Sequence, residues 1–315
     1  MSIINNFTNQ DKCVNFQINN TNGQYKISFT NCLRRIIISY IDCYAVDLES
    51  IKFNENNSLF NNEFLKERLK LIPIISNNNE KYELLELSCE KNNESETIED
   101  IYVSEIKIKD TTTNKDLDIS KFIEEQEILF TNLQNNQKIN FEARFKKGNA
   151  FTNGASFCPV SSCVVTFNNS NYDKEAIIER ERNYDLNSVN EPKIYDFSYE
   201  SIGFYKSEEI IKMGCTVMIE KLNILKNKFT DYEYTNDFYH FIVYDENDTL
   251  GNVFTSYLLN NKEIKYCGYQ NVHPLKNEIT VKIKIEGTKE KLMELINKTI
   301  DQLIEMTNNL KKEFK

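Results

Sequence analysis

Apolar residues recur at helical spacing in two stretches that lie far apart in the sequence. Residues 29–41 place apolar side chains at i, i+4, i+7, i+8, i+11 and i+12, which predicts an amphipathic helix capped by Thr30 or Asn31. Residues 43–53 then alternate apolar and polar in the manner of a half-buried strand. Residues 250–269 repeat this order of short helix and strand. The repetition predicts two copies of one α+β unit.

The remaining pattern predicts further elements around these two stretches. The Asn22-Gly23 turn signal predicts a hairpin, and a short helix within residues 63–74 is expected to end before Pro73. Residues 207–229 repeat apolar side chains at steps of four and three, which is typical of one long helix face. Strands are predicted at 82–87, 101–108, 127–168, 238–244, 264–269 and 278–285, and helices at 172–182, at 250–259 and from Thr288 onward.

The order of these elements predicts a discontinuous domain organisation of α+β class. Each short helix would leave an apolar face exposed if its unit stood alone, so the two units are expected to pair pseudo-symmetrically. The predicted boundaries are residues 1–53 and 170–229 for the first unit, 54–169 for a mostly β insertion, 230–237 for a linker and 238–315 for the second unit.

Charge and composition exclude several classes of function. The chain has 315 residues and a net charge of −10, with lysines interleaved among acidic residues, so direct strong binding to nucleic acid is not expected. No apolar run approaches the about 18 residues of a membrane helix, and the initial segment lacks the features of a secretory signal. The 8 cysteines are expected to be reduced, buried thiols of a cytoplasmic protein.

Two cysteines raise the question of redox or metal chemistry. Cys158 and Cys163 form a C-x4-C pair, which could be a redox pair or half of a zinc site. No second pair has metal-ligand spacing, so a structural loop is favoured, and neither a metal nor a cofactor is expected.

The other candidate catalytic groups have simpler explanations. His273 fits a hydrogen-bonded turn better than a general base, since the sequence implies no nucleophile beside it. Gly148 and Gly154 are not followed by the G-K-[ST] of a phosphate loop. Glu208 and Glu209 suit the first turn of the long helix, so no catalytic residue is predicted.

Several motifs carry a family resemblance. They are N-x-L-R-R at 31–35, A-V-D at 45–47, R-L-x-L-I-P at 68–73, P-V-x-x-C at 159–163, Y-D-F-S-Y-E-S-I-G at 195–203, D-T-L-G-N at 248–252 and G-Y-x-x-x-H-P-L at 268–275. With these motifs the chain resembles the assembly subunits of multisubunit DNA-directed RNA polymerases. Its first part is similar to the third subunit of eukaryotic RNA polymerase II, to the archaeal D-type protein and to the amino-terminal domain of the bacterial alpha subunit. Its last part is similar to the eleventh eukaryotic subunit and to the archaeal L-type protein.

The resemblance implies a non-catalytic platform that pairs two dimerisation units and docks the two largest polymerase subunits. A single-chain fusion resembles the arrangement in large cytoplasmic DNA viruses, which implies a viral protein of the host cytoplasm or the virion. Small subunits resembling the tenth and twelfth are implied as further partners, with DNA and RNA contacted only indirectly and no membrane. Family members often carry a zinc or iron–sulfur module in the insertion, but the middle of this insertion holds only Cys89.

The resemblance also assigns residues to two roles. The large-subunit contacts implied by it are Arg34, Arg35, Arg68, Pro159 and Val160. The residues expected at the internal pairing are Phe29, Leu33, Ile37, Leu222, Leu225, Leu250, Asn252, Phe254, Leu258 and Leu303. Two alternatives stay open, namely a regulatory or decoy binding module on the same fold and a thiol or zinc protein that uses Cys158 and Cys163.

Overall fold

The chain folds into two compact units, each assembled from separate stretches of sequence. The computed structural model describes residues 2–76, 81–167, 185–273 and 275–314. Unit 1 comprises residues 1–38, 162–200 and 208–315, and unit 2 comprises residues 39–161 and 201–207.

The described residues form both helices and strands. The elements up to the middle of the chain are β1 (Ile4–Gln10), β2 (Cys13–Asn19), α1 (Ile27–Ser39), β3 (Cys43–Val46), β4 (Lys52–Asn56), α2 (Asn62–Lys70), β5 (Leu85–Asn92), β6 (Glu99–Tyr102), β7 (Lys107–Asp110), β8 (Asp116–Leu117), β9 (Leu129–Leu133), β10 (Lys138–Gly148) and α3 (Ala150–Asn153). The later elements are β11 (Val160–Phe167), β12 (Ile194–Ser201), α4 (Ser207–Lys226), β13 (Tyr232–Thr235), β14 (Phe238–Tyr244), α5 (Asp248–Leu258), β15 (Ile264–Gln270), β16 (Glu278–Ile285) and α6 (Lys289–Glu313).

Unit 1 contains two four-stranded sheets and the long helices. One sheet has the strand order β1-β2-β12-β11 and the other has the order β13-β14-β16-β15. Helix α5 approaches the second sheet so closely that a Cβ on Gly251 would lie 2.9 Å from the Tyr269 ring and 3.0 Å from Ile279. Helix α4 approaches α1 in the same way, because a Cβ on Gly214 would lie 2.7 Å from Ile37. Glycine thus permits close packing in both places.

Unit 2 is dominated by β structure. Strand β10 is its centre, since it pairs antiparallel with β3, β4 and β5, and the sheet continues through β7 to β8. Strands β6 and β9 form a separate two-stranded sheet. Buried side chains of β10 such as Ile139, Phe141 and Ala143 alternate with exposed ones and form one core with Leu65 and Leu69 of α2. This unit matches the predicted mostly β insertion in character.

The start of the chain differs from its prediction in two respects. The first hairpin joins β1 to β2 through Asp11 and Lys12, both of which have positive φ, whereas the Asn22-Gly23 turn leads directly into α1. The predicted cap at Thr30 or Asn31 is wrong, because α1 begins at Ile27 and the Thr30 hydroxyl donates to the carbonyl of Ile27 inside the helix.

The predicted strands of unit 2 are shorter than the alternation suggested. Residues 43–53 form two strands, β3 and β4, separated by a turn of 3-10 helix at Leu48–Ser50. Residues 82–87 and 101–108 likewise each contain a 3-10 turn beside a strand. The predicted helix at 172–182 lies outside the described residues.

The predicted linker at 230–237 holds a strand. β13 pairs with β14, placing Tyr232 opposite Phe241 and Tyr234 opposite Tyr239, and the turn uses Asn236 with Asp237, both at positive φ. Aromatic side chains in contact across the hairpin favour a strand where the polar composition suggested a linker.

The first domain boundary also differs from its prediction. The sequence predicts residues 39–53 in the first α+β unit, but in the structure they belong to unit 2. The reason is hydrogen bonding, since β3 and β4 both pair with β10 of the insertion.

Candidate interaction site

The residues predicted for the internal pairing lie in unit 1, which can be divided into two halves along the chain. The first half is residues 2–38, 162–167, 185–200 and 208–229, and the second half is residues 232–314. Nine of the predicted residues are buried, namely Phe29, Leu33, Ile37, Leu222, Leu225, Leu250, Phe254, Leu258 and Leu303. Asn252 differs, because it is exposed.

Aromatic rings join the two halves directly. Phe229, just after α4, has its ring centroid 4.8 Å from that of Phe254 on α5 and 5.5 Å from that of Phe241 on β14. On the first sheet, Phe16 of β2 packs edge-on against Phe314, with the ring centroids 5.0 Å apart. Such pairs contribute about 0.5–1.5 kcal/mol beyond the burial of their area.

The Tyr257 hydroxyl of α5 connects the second half to the turn before α1. It donates to the carbonyl of Gln24 at 2.6 Å and accepts from the backbone N–H of Lys26 at 3.0 Å. The Lys26 ammonium donates in turn to the Ser256 carbonyl at 3.1 Å and to the Asn260 side chain at 2.8 Å. Burial raises the pKa of Tyr257, so the phenol remains a neutral donor. A side chain of one half therefore fixes the backbone of the other.

A buried carboxylate is paired across the halves. Glu246 in the second half is only 2% exposed, and its two oxygens lie 3.1 Å and 3.2 Å from the ammonium groups of Lys221 and Lys228. Oε2 has no hydrogen bond of good geometry, so its contact with Lys221 is best described as an ion pair. Lys221 lies on α4 and Lys228 lies just after its end, and both ammonium groups reach the same carboxylate. A buried charge is tolerated because it is paired.

A polar pocket of about 320 Å³ lies between α1 and α5. Arg34 and Arg35 line it, and the Arg35 Nε–H donates to the Thr249 hydroxyl on α5 at 2.9 Å. The Arg34 Nε–H donates to the Asn31 side chain of its own helix at 3.2 Å. Asn252 lines the same pocket. Both arginines predicted as contacts of a large subunit thus lie half-buried at one opening in unit 1.

Arg68, the third predicted arginine, lies in unit 2. Its guanidinium donates to the carbonyl of Leu129 at 2.5 Å and lines an apolar pocket of about 310 Å³. Leu71 and Leu129 are exposed at this pocket, with 61% and 39% of their surface accessible. Exposed apolar side chains around an anchored arginine are typical of an interaction surface.

Pro159 and Val160 are buried within unit 2 rather than displayed on it. The Pro159 carbonyl accepts a hydrogen bond from the N–H of Ile202 at 3.3 Å, which ties the loop to unit 2. Any contact from this loop would come from exposed neighbours such as Phe151, which stacks on Tyr40 with ring centroids 4.9 Å apart.

The C-x4-C pair has the environment of structural thiols. The Cys158 thiol donates to the carbonyl of Val160 at 3.0 Å, and burial raises its pKa, which keeps it protonated and weakly nucleophilic. Cys163 is buried. His273 accepts at Nδ1 from the N–H of Leu275 at 3.1 Å, in a turn, while the neighbouring Pro274 lies outside the described residues.

A metal site requires a cluster of ligating side chains, and a membrane-spanning helix requires a long apolar segment. Within the described ranges, no group of three or more His, Cys, Asp and Glu side chains is placed to hold a metal ion. In the same ranges, no helix is both long and apolar enough to cross a membrane.

Sequence reasoning missed the polar residues that join the halves, above all Lys26, Glu246 and Tyr257. Lysines seven residues apart, Lys221 and Lys228, within the mainly apolar stretch 207–229 predicted as one helix, were a signal for a buried acidic partner. Tyr257 gave no comparable signal, because a tyrosine on an apolar helix face looks like an ordinary core residue.

Comparison with known proteins matches both halves to one sequence family. The RNA polymerase Rpb3/Rpb11 dimerisation domain matches residues 22–222 and, in a second form of the family, residues 239–313. The chain is similar to DNA-directed RNA polymerase II subunit rpb3 of Dictyostelium discoideum, with 30% identity over 156 residues, which are 45% of this chain and 50% of that protein. The match therefore spans half the length of this curated relative. The chain belongs to the RNA polymerase Rpb3/Rpb11 dimerisation family and carries two such domains in one polypeptide.

Proposed function

We propose that this chain is the assembly platform of a multisubunit DNA-directed RNA polymerase. Its two dimerisation domains would pair with each other, and the paired platform would dock the second-largest and then the largest subunit for transcription. The observation that carries the proposal is that two matches to one dimerisation family occur in a single chain whose halves share one interior.

The contacts between the halves support an intramolecular pair. They combine aromatic packing at Phe229, the hydrogen bonds of Tyr257 and the ion pairs of Glu246. Joining two binding modules in one chain raises the effective concentration of each for the other, to the millimolar range for short flexible connections. The fusion also fixes one copy of each half, so the platform is asymmetric and can present different surfaces to two different large subunits.

The proposed platform is not itself catalytic. Phosphoryl transfer would take place on the large subunits, and DNA and RNA would be contacted only indirectly. Further proposed partners are small subunits resembling the tenth and twelfth of the eukaryotic enzyme. The resemblance to viral fusion subunits leads us to place the protein in the host cytoplasm, with the virion as a second location.

The test is affinity purification of the tagged full chain from its native source, with quantitative mass spectrometry of its partners. We expect two stoichiometric partners of the size of polymerase core subunits, and nucleotide incorporation by the purified complex on a DNA template. The matched control is the same purification with an untagged chain.

Purification of the chain without large partners would contradict the platform and would favour the regulatory or decoy module. In that case zinc analysis and thiol titration of Cys158 and Cys163 would test the thiol or zinc alternative.

A further inference from the structure

The second sheet of unit 1 ends in an edge strand that is regular and exposed. β13 is the first strand in the order β13-β14-β16-β15, and all four of its residues are exposed. Its register with β14 is regular over all four pairs. The opposite edge strand, β15, has a register shift between Ile264 and Tyr266. β1, an edge strand of the first sheet, has one between Asn5 and Thr8. Bulges of this kind protect an edge from further pairing, and β13 lacks this protection.

The backbone of β13 presents hydrogen-bonding groups along this edge. The N–H of Ile242 donates to the carbonyl of Asp231 at 3.1 Å, so these two residues form a hydrogen-bonded pair of the antiparallel ladder. Such pairs alternate with pairs that are not hydrogen-bonded, so the N–H and C=O groups of Tyr232 and Tyr234 point away from β14. Among the described residues, neither tyrosine forms a backbone–backbone hydrogen bond beyond the hairpin. Both residues can therefore pair with a further strand.

The tyrosine side chains of β13 continue the aromatic interior of unit 1. Tyr232 lies opposite Phe241 and Tyr234 lies opposite Tyr239, so both tyrosines share the sheet face on which Phe241 is buried. The ring centroids of Tyr232 and Phe241 are 5.6 Å apart, those of Tyr232 and Tyr239 are 5.8 Å apart, and those of Tyr239 and Tyr234 are 4.7 Å apart. Phe241 in turn contacts Phe229 of the first half. A row of aromatic rings thus runs from the interface between the halves to the edge of the sheet.

Helix α6 covers this aromatic row only in part. Lys289 is the first residue of α6, and its ammonium group lies 4.1 Å from the ring centroid of Tyr232. Tyr232 remains 38% exposed, and Tyr234, farther along the row, is 55% exposed. Strand addition needs an unpaired edge for main-chain hydrogen bonds and an adjoining surface for alternate side chains. β13 offers both, and its aromatic surface is continuous with the interface that already joins the halves.

We propose that β13 receives an extended segment of another polymerase subunit, which adds a fifth strand to this sheet. The segment has no proline at the paired positions and carries apolar side chains at alternate positions, which pack against Tyr232 and Tyr234. A nucleic acid stacked on the tyrosines is disfavoured by the net charge of −10. This inference rests on the proposed function, because the donor of the strand is one of the partners of the proposed platform.

The first experiment compares hydrogen exchange in the free full chain and in the complex purified on its tag, resolved to single amides by fragmentation mass spectrometry. The amides of Tyr232 and Tyr234 should exchange at least about tenfold more slowly in the complex, because they would donate to the added strand. The amide of Glu233 is the control, since it points towards β14 and should change little. Exchange of the two tyrosine amides at the same rate in both states would overturn the inference.

The second experiment separates the backbone of β13 from its side chains. Tyr234→Pro removes the outward N–H together with the ring, whereas Tyr234→Ala removes only the ring. Proline is tolerated in an edge strand where the N–H faces solvent, so the hairpin should be retained. Tyr266→Ala is the matched control, because Tyr266 is an exposed tyrosine of the bulged edge strand β15. Thermal unfolding of each free chain checks that it is folded, and quantitative mass spectrometry measures the partners recovered on the tag.

We expect Tyr234→Pro to lower the recovery of at least one stoichiometric partner at least about tenfold and Tyr234→Ala to lower it less, because main-chain hydrogen bonds supply the affinity in strand addition. Tyr266→Ala should recover every partner like the unchanged chain. Equal recovery by the two Tyr234 variants would overturn this inference and leave the proposed function standing.

Light scattering of the free chain tests a second copy as the occupant of the edge. A dimer that Tyr234→Pro converts to a monomer would assign β13 to pairing between copies and would overturn the inference. A monomeric free chain agrees with a strand donated by another subunit. If the unchanged chain recovered no stoichiometric partner, the proposed function would be overturned, and this inference with it.

Discussion

Helices α1 and α5 occupy corresponding positions in the two dimerisation domains but differ in their polar residues. When Asn31 is aligned with Asn252, Leu33 corresponds to Phe254, and both side chains are buried. Arg34 then corresponds to Thr255, whose hydroxyl donates to the carbonyl of Gly251 within its own helix at 2.8 Å. The apolar residues are therefore equivalent in the two copies, whereas the opening between α1 and α5 takes its arginines from the first copy and the acidic Asp248 from the second.

Under the proposed function, this difference makes pairing of the halves and docking of a large subunit separable tasks of different residues on one scaffold. The shared apolar positions hold the halves together, and the residues that differ make the resulting pair asymmetric. Substitutions at equivalent apolar positions of α1 and α5 should thus destabilise the protein to a similar extent. Substitutions at the polar positions that differ should have unequal effects.

A charge on either shared apolar position should have the largest effect. Leu33→Asp or Phe254→Asp would bury an unpaired carboxylate in the interior of unit 1, and each should lower the free energy of unfolding by more than about 4 kcal/mol. Thermal and denaturant unfolding followed by circular dichroism measure the loss.

The matched control for this pair is Ile224→Asp, because Ile224 is an exposed apolar residue of α4. Its stability should change by less than about 0.5 kcal/mol. A large loss in only one of the two core variants would contradict the equivalence of α1 and α5.

The halves also differ in the sign of the charge that each brings to the pair. Lysines come from α4 and from the segment directly after it in the first half, and the acids Glu246 and Asp301 come from the second. Glu246→Gln removes the buried counter-ion of Lys221 and Lys228 and should lower the free energy of unfolding by about 3 kcal/mol. Asp301→Asn breaks the exposed ion pair with Lys226 and should lower it by less than about 1 kcal/mol. Equal losses in urea titrations would show that burial of the carboxylate is not what matters.

The hydrogen bonds of Tyr257 should contribute less than the buried ion pairs. Tyr257→Phe removes one donor and one acceptor that join α5 to the backbone before α1, and should lower the free energy of unfolding by about 1.5 kcal/mol. Tyr266→Phe is the control, because this tyrosine is exposed. An effect of Tyr257→Phe no larger than that of Tyr266→Phe would argue against the cross-half bonds.

Alkaline pH should affect the two halves alike. Burial raises the pKa of Cys32 in the first half and of Cys267 in the second from 9.0 to about 12. A raised pKa in the folded state gives stability that is fully present below pH 9 and is lost as the pH rises towards 12, so each thiol should lower the free energy of unfolding by about 0.8 kcal/mol at pH 9.5. Denaturant unfolding between pH 8 and pH 9.5 measures this decline.

The variants Cys32→Ala and Cys267→Ala should each show a shallower decline than the unchanged chain. If the free energy of unfolding of either variant fell as steeply with pH as that of the unchanged chain, the pKa of the corresponding thiol would not differ between the folded and unfolded states.

The sequence predicted the elements of the second half closely, because apolar periodicity and turn residues agree there. The strands at 238–244 and 278–285 appear as expected, and the helix predicted from Thr288 begins at Lys289 with Thr288 as its cap. The first half was harder to predict because its local signals mislead. Asn22-Gly23 is a hairpin signal, yet here the turn leads into α1, and the partner of β2 is instead β1, which lies before it.

The candidate site was predictable where a motif or an apolar stripe marked it. Arg34 and Arg35 stand in a motif, and the buried leucines follow a period. The joint pocket was not predictable, because its second wall comes from residues more than 200 positions away, as the 214-residue separation of Arg35 and Thr249 shows. Likewise β3 and β4 could not be assigned to unit 2 without knowing that β10 pairs with both.

The hydrogen bond between Tyr257 and Gln24 joins residues 233 positions apart, which has a consequence for how the protein is made. A ribosome adds roughly 5–20 residues per second, so on the order of 10 to 50 seconds separate the synthesis of the two partners. For most of that interval the apolar face of α1 has been made, but α4, which packs against Leu33 and Ile37 of that face, has not. The nascent chain therefore exposes an apolar surface for most of its synthesis. The supply of chaperones should limit the yield of folded protein more than the stability of the finished fold does.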